Sequence, residues 1–600
     1  MIKTLASYIR EFRLPSILTP VMMVAEVIME MVIPLLMASI IDNGVEKGDL
    51  QHIMKVGMIM VIAAGFGLLF GILGGVFAAK ASTGFARNLR KAMFDHIQTF
   101  SFANIDRFST AGLITRLTTD VTNIQMAYQM LLRMFVRAPI TLIVAMCMAF
   151  YINHSLARIY LLAVLILAVF LGLIISNVTK HFREVFKKYD DLNASVQENV
   201  SAIRVVKAYV REEYEKSKFF RASENVYRLF VKAEKILTLN MPIMMTTIYT
   251  CILLISWLGA KMIVSSTLTT GELMSLLAYC MNILMSLMML SMVFVMITMS
   301  SASGQRIAEV LNEESSLTNP EDPVCTIPDG SVSFSHVDFR YNRDSDVNVL
   351  KDISLKIASG ETVGIIGATG SAKTTLVSLI SRLYDVSGGS VKVGGIDVRA
   401  YDLDTLRNNV AVVLQKNVLF SGTILDNLRW GNENASEEEC VRAAKLACAD
   451  EFIRKFPDGY NTYIEQGGSN VSGGQKQRLC IARALLKDPK VLILDDSTSA
   501  VDTATDARIR KAFREEIPGV TKIIIAQRIS SVMDADRILV LENGTVHGFG
   551  THEELLGKDE IYTEIYETQT SGGGDFDEAA RAADADYRDE EFDRRGGENG

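Results

Sequence analysis

The 600 residues carry 61 Lys and Arg against 69 Asp and Glu, a net charge of −8, with 49% hydrophobic and 22% charged residues. That is too long for one core, too apolar for a purely soluble chain and too charged for a membrane throughout, so a membrane half joined to a soluble half is expected. Residues 571–600 hold ten acids against four Arg, and the near-neutral remainder lacks the basic excess of a nucleic-acid binder. The seven cysteines are scattered, with no CxxC and no Cys/His pair at zinc-ligand spacing, and read as reduced thiols.

In chain order, residues 1–13 (MIKTLASYIREFR) read as an interfacial helix, with no signal-peptide pattern, so that the chain is expected to insert as made. The membrane domain is expected over 14–303. Six apolar stretches there are long enough for the roughly 20 residues that cross a bilayer: Leu14–Ile41, Val56–Ala79, Met134–Ile152, Ile159–Thr179, Ile236–Ala260 and Leu273–Ser303. The gaps after the second and fourth are much longer than the others, and they hold the positive charge. Lys80, Arg87, Arg90, Lys91, Arg107 and Arg116 lie in the first, and Lys180, Arg183, Lys187, Lys188, Arg204, Lys207 and Arg211 in the second. By the positive-inside rule both loops, both termini and the soluble half face the cytoplasm. These loops lack turn chemistry over most of their length and read as helical arms reaching roughly 35 to 40 Å beyond the bilayer, with tips near Phe102–Thr115 and Val205–Tyr214.

Glu26 and Glu30 stand inside the first stretch on one helical face, either as a cation-substrate or proton site, or else as partners of Arg133 or Arg137 or as groups that snorkel to water. The last stretch is rich in Met (274, 281, 285, 288, 289, 292, 296, 299), suiting either helix packing or a pliable surface for apolar ligands. Residues 304–330, polar and containing Pro320, Pro323 and Pro328, read as a linker, 331–565 as an α/β nucleotide-binding domain, and 566–600 as an acidic disordered tail.

GATGSAKT at Gly367–Thr374 follows the strand pattern ETVGII and precedes an apolar helix, the context a phosphate-binding P-loop requires. Backbone N–H groups over Gly367, Thr369, Gly370, Ser371, Ala372 and the helix start at Thr375 are placed to cradle phosphates, Lys373 to reach the β- and γ-phosphates, and the Thr374 hydroxyl to bind Mg²⁺. Ala372 stands where a glycine is usual, which costs something if the backbone there needs a positive φ. VLILDDSTSAVD at Val491–Asp502 is a buried strand ending in two acids. Taken alone these acids could cap a helix; paired with a P-loop they read as a Walker B segment, with Asp495 on Mg²⁺ and Asp496 where a carboxylate polarises the attacking water.

VSGGQKQR at Val471–Arg478 resembles the signature of ATP-binding cassette (ABC) proteins, and with Tyr341, Gln415, Asp502 and Gln527 the ordered motif set is present. With six spans before it, nearly the whole chain resembles an ABC exporter half-transporter. The resemblance implies a membrane α-helical domain followed by an α/β P-loop ATPase, in a head-to-tail dimer with ATP at the interface. It implies that Tyr341 stacks on adenine, that Gln415 lies near Mg²⁺, that Ser472, Gly473 and Gly474 reach the partner's γ-phosphate with Gln475 beside them at the nucleotide, and that Asp502 closes the D-loop. Two positions depart from the family pattern: Asp496 stands where Glu is usual, and Gln527 where His is usual.

The expectation is therefore a multi-pass subunit in the cell membrane, one half of an asymmetric pair of the bacterial heterodimeric multidrug exporter type. Its own site is degenerate, its signature serves a non-identical partner, and its cargo is a hydrophobic small molecule. Lipid or peptide export, or a nucleotide-gated channel or regulatory receptor on the same fold, are the alternatives, and no nucleic-acid partner is expected.

Overall fold

The computed structural model describes residues 1–341, 347–496 and 501–570. The tail at 571–600, and Ser497–Ala500 of the VLILDDSTSAVD run, lie outside the described residues, as do the side chains of Lys180, Arg183, Lys187 and Met299. The chain divides into two compact units, one of Met1–Thr99 with Ser109–Glu313, the other of Phe100–Phe108 with the chain from Glu314.

The first unit is helical. Among the described residues, six helices are long and apolar enough to cross a membrane. Helices Arg13–Ser39, Leu50–Ile97, Val121–Ile152, His154–Ser201, Asn240–Val264 and Thr270–Asn312 carry the six apolar stretches, and Glu212–Thr238 leads into the fifth. Leu50–Ile97 and His154–Ser201 are single helices of 48 residues, so each span continues without a break into its arm, about 70 Å in all. The short connections are made by capping residues. Asp49 accepts from the His52 N–H, Asn153 from the Ser155 and Leu156 N–H groups, and Thr269 forms a reciprocal box with Glu272.

Several polar groups inside this bundle are satisfied internally, as an apolar surround favours. The Tyr160 hydroxyl donates to the Leu276 carbonyl (2.8 Å) and that of Tyr279 to Met31 (2.7 Å). Glu26 and Glu30 both pair with Arg137, at 2.6 and 2.8 Å. Of the two readings of these acids, the geometry is that of the ion pair. Met274, Met281 and Met285 are each about half exposed, and Met292 more so, on helix Thr270–Asn312.

The N-terminal segment departs from the single interfacial helix expected. Ile2–Ala6 is helical, Ser7–Phe12 is a tight turn broken at Arg10 (φ 41°), and the span helix starts at Arg13. Tertiary contacts override the helical pattern here: Glu11 pairs with Arg87 (2.7 Å), and the Phe12 ring lies where any Cβ on Gly84 would clash.

In the second unit a six-stranded sheet runs in the order Thr545–Gly550, Arg537–Glu542, Thr362–Ile366, Thr521–Ile525, Val491–Asp495, Val410–Val413. All neighbours are parallel except the first pair. The Val491–Asp495 and Thr521–Ile525 strands are buried along their whole length, as expected for parallel strands covered on both faces. A four-stranded antiparallel sheet built on Val332–Phe339, Leu350–Ile357 and Gly388–Val393 packs beside it.

Two expected boundaries shift. Residues 304–312, read as linker, are the last turns of helix Thr270–Asn312, because Ile307, Ala308 and Val310 among their polar neighbours form a buried apolar stripe that continues the helix. The rest of the linker is held down: Leu317 and Ile327 are buried, and Lys490 Nζ donates to the Ile327 and Pro328 carbonyls (2.7 and 3.0 Å). Residues 566–570, read as the start of the tail, complete the helix Glu560–Thr570. Tyr562 and Ile565 anchor that helix in the core, and their spacing continues to Tyr566 and Gln569.

Candidate functional site

The Thr362–Ile366 strand ends in the P-loop, which turns into the helix Lys373–Ile380. Gly367 is required by its surroundings: its φ is 150° and a Cβ would meet the Leu541 carbonyl oxygen at 2.1 Å. Ala372 takes the left-handed conformation (φ 71°, ψ 24°) that the sequence flagged as costly for a methyl-bearing residue. The loop wraps the Lys373 ammonium, whose Nζ donates to the Gly367 and Ala368 carbonyls at 2.7 and 2.8 Å.

A cavity of about 300 Å³ opens over this loop. Gly367, Thr369, Gly370, Ser371, Ala372, Lys373, Thr374, Thr375, Gln415, Asp495, Asp496 and Gln527 all line it, so twelve residues singled out from sequence converge on one site. Val349 and Ile565 also line it and were not anticipated. Ile565 could have been found from the EIYTEIYETQT pattern, which places Ile561 and Ile565 one turn apart.

At the cavity floor the Thr374 hydroxyl donates to Asp495 Oδ1 at 3.0 Å. A hydroxyl and one carboxylate, beside a loop shaped for phosphates, is the sparse oxygen set suited to Mg²⁺, which retains water and phosphate ligands. Burial pushes the Asp495 carboxyl up from its ordinary range, against the pull of Thr374 and Lys373.

Asp496 follows directly, with φ 48° and its N–H donating to the Ile525 carbonyl at 3.1 Å. Its Oδ2 accepts from Gln527 Nε2 at 3.0 Å and from Gln415 Nε2 at 3.4 Å. Two side-chain amides thus meet a single carboxylate oxygen. Burial raises the Asp496 carboxyl, Gln415 opposes this, and the charge on Asp495 adds to the rise.

The other motif residues do not line this cavity. Tyr341 stands beside it, its hydroxyl sharing a hydrogen bond with Thr375 (2.9 Å) and its ring edge-on to Tyr384. Ser472 caps the 13-residue helix Gly473–Leu485 in a reciprocal box with Gln475, leaving Ser472 and Gly473 on the surface. Asp502 caps Thr503–Glu516, and the Thr505 N–H it accepts holds its carboxyl below the ordinary range. One contact went unforeseen in detail: the arm-tip helix Phe102–Phe108 meets Tyr384, whose hydroxyl donates to Asp106 (2.7 Å) and whose ring meets Phe102 edge-on.

A six-helix membrane domain followed by an α/β P-loop domain with this motif set defines the class of an ABC exporter half-transporter, and the comparisons agree. The family model described as ABC transporter transmembrane region matches residues 16–288, and that described as ABC transporter matches 350–499. The ABC transporter ATP-binding protein YfiB of Bacillus subtilis is 38% identical over 563 residues, covering 94% of this chain and 98% of that protein. Rv1273c of Mycobacterium tuberculosis is 37% identical over 575 residues, 95% and 98% of the two chains. The solved structure of a bacterial Atm1-family ABC exporter with ATP bound superposes with a TM-score of 0.80 at 26% identity, over 93% of this chain and 99% of that one. The chain belongs to the ABC transporter family: it is a multi-pass membrane protein whose ATPase domain binds ATP and couples its hydrolysis to transport.

Proposed function

We propose that this chain is the degenerate-site half of a heterodimeric exporter of hydrophobic or amphipathic compounds, with its termini and ATPase domain in the cytoplasm. The observation that carries this reading is the Asp496–Gln527 pair, 3.0 Å apart in the nucleotide cavity. Asp496 is one methylene shorter than Glu, a displacement of about 1 Å that costs about 100-fold if the attacking water is held from there. Gln527 cannot become a cation, so it adds no charge at a developing oxyanion.

Nucleotide binding asks less of these residues. Lys373 and the loop N–H groups hold phosphates, Thr374 and Asp495 hold Mg²⁺, and Tyr341 meets the adenine face after leaving Thr375. Bound Mg²⁺ neutralises phosphate charge. Ser472, Gly473 and Gly474, exposed or half-exposed at the positive end of a 13-residue helix, serve the partner's γ-phosphate, with Gln475 fixing the cap and Asp502 fixing the following helix. The exposed Met274, Met281, Met285 and Met292 support an adaptable apolar surface for cargo.

The test is ATP turnover by the purified chain alone and by the chain paired with a subunit that supplies Glu and His at the matching positions. Turnover should rise on pairing by about 100-fold. Equal turnover by the chain alone refutes the asymmetric reading.

A further inference from the structure

The helix Glu560–Thr570, the last among the described residues, reaches the nucleotide site at two points. Ile565, 1% exposed, lines the cavity. One turn on, Gln569 uses both ends of its amide on the loop that carries Gln527. Its Nε2 donates to the Gln527 carbonyl at 2.9 Å, and its Oε1 accepts from the Ile529 N–H at 2.7 Å. Gln527 in turn donates from its own side chain to Asp496. On the near side this loop is held by the strand ladder, through the Ala526 N–H to the Ile365 carbonyl at 3.3 Å. On the far side Ile529 is buried and the Ser531 hydroxyl donates to Asp506 at 2.9 Å, and Gln569 adds the bonds to the backbone between them and Gln527.

The arrangement calls for an amide specifically. A carboxylate can accept from Ile529 but cannot donate to Gln527, and an aliphatic side chain can do neither. The two bonds come from one planar group, so they fix the peptides on either side of Arg528 relative to one another.

We propose that Gln569 is a positioning residue of the nucleotide site. It holds the Gln527 backbone so that the Gln527 side chain stays on Asp496, which makes the helix Glu560–Thr570 part of the ATPase apparatus. The proposal deepens the reading of Asp496 and Gln527 given above and rests on it.

The experiment uses the full chain alone, whose slow turnover arises at this site, carrying Gln569→Leu or Gln569→Glu with and without Gln527→Ala. Amide exchange is read at Ile529, and turnover is split into kcat and KM for ATP. Gln569→Leu should speed exchange at Ile529 by about tenfold or more, the loss of one hydrogen bond of ordinary strength. It should lower kcat by about three- to tenfold with KM unchanged within about twofold, and add nothing in the Gln527→Ala background. Gln569→Glu should keep Ile529 protected, because an oxygen still accepts there, yet lose kcat as Gln569→Leu does. Unchanged exchange at Ile529 in Gln569→Leu, or the same additional loss of kcat in the Gln527→Ala background, overturns the proposal. Gln527→Ala turning over at the parental rate overturns it as well. Failure of the underlying reading looks different: the chain alone then turns over as fast as the paired complex while exchange at Ile529 still responds, and the proposal falls through its premise.

Discussion

Ala372 occupies a left-handed backbone position at the start of the P-loop helix (φ 71°), where a methyl group is crowded against its own peptide and glycine is not. Ala372→Gly should therefore stabilise the ATPase domain by about 1 kcal/mol, read as a rise in Tm of roughly 2 to 4 °C; a fall in Tm would show that the loop has adapted to the methyl. Asp496 is a second local cost. Burial raises its carboxyl, the Gln415 hydrogen bond opposes this and the Asp495 charge adds to it. A carboxyl raised in the fold favours the protonated form there, so its contribution to stability is complete below the unfolded value and is lost as pH rises through the folded one. Asp496→Asn should accordingly raise Tm at pH 7, with the gain shrinking towards pH about 4, where unfolded Asp also binds its proton. A gain that grows in acid would contradict the cause assigned. At this scale the motif spellings were highly legible: phosphate chemistry fixes both residue type and spacing, and twelve of the residues named from sequence line one cavity. The double bond of Gln569 was not legible, because a glutamine on a polar helix face has no spelling that distinguishes solvent from a loop brought near by the fold.

Among elements, the arm-tip helix Phe102–Phe108 has the most specific anchorage. It belongs to the same compact unit as the ATPase domain, and its Asp106 and Phe102 meet Tyr384. The Tyr384 hydroxyl is raised well above its ordinary range, by burial first and by the Asp106 bond next, so it remains a donor at any physiological pH. Tyr384→Phe keeps the ring contacts and removes the bond, a loss of about 1 kcal/mol. Cargo-stimulated ATP turnover should then drop several-fold while ATP affinity is retained. Equal loss of ATP affinity would place Tyr384 in nucleotide binding instead of coupling. That long helical arms exist was readable from loops without turn chemistry, and capping residues at Asp49, Asn153 and Thr269 mark where the short connections lie. The N-terminal segment was misread as one helix because a helical pattern does not report that Phe12 and Glu11 have partners on Gly84 and Arg87. The end of the ATPase domain was placed inside a helix because the tail's acidity begins just beyond it, and charge statistics blur over a few residues.

For the whole molecule, hydropathy alone separated the membrane half from the soluble half, since a bilayer admits few alternatives to long apolar helices. What a single chain does not spell is its partner, and the asymmetry of two sites has to be argued from which residues fail together. Asp496 and Gln527 touch one another in this chain's cavity, whereas Ser472 and Gly474, at the head of their helix, do not line it. If the signature serves a competent site on another subunit, substitutions in the two places must differ in effect. Gly474→Asp, which puts a carboxylate at the positive end of the helix where a γ-phosphate would lie, should lower turnover of the paired complex by about 100-fold or more. Asp496→Asn should lower it only a few-fold, because the carboxylate removed already contributes little to hydrolysis. Steady-state rates of the two variants in the same complex, with ATP binding measured separately, decide the matter: if Asp496→Asn abolishes turnover as completely as Gly474→Asp, both sites hydrolyse and this chain is no silent half.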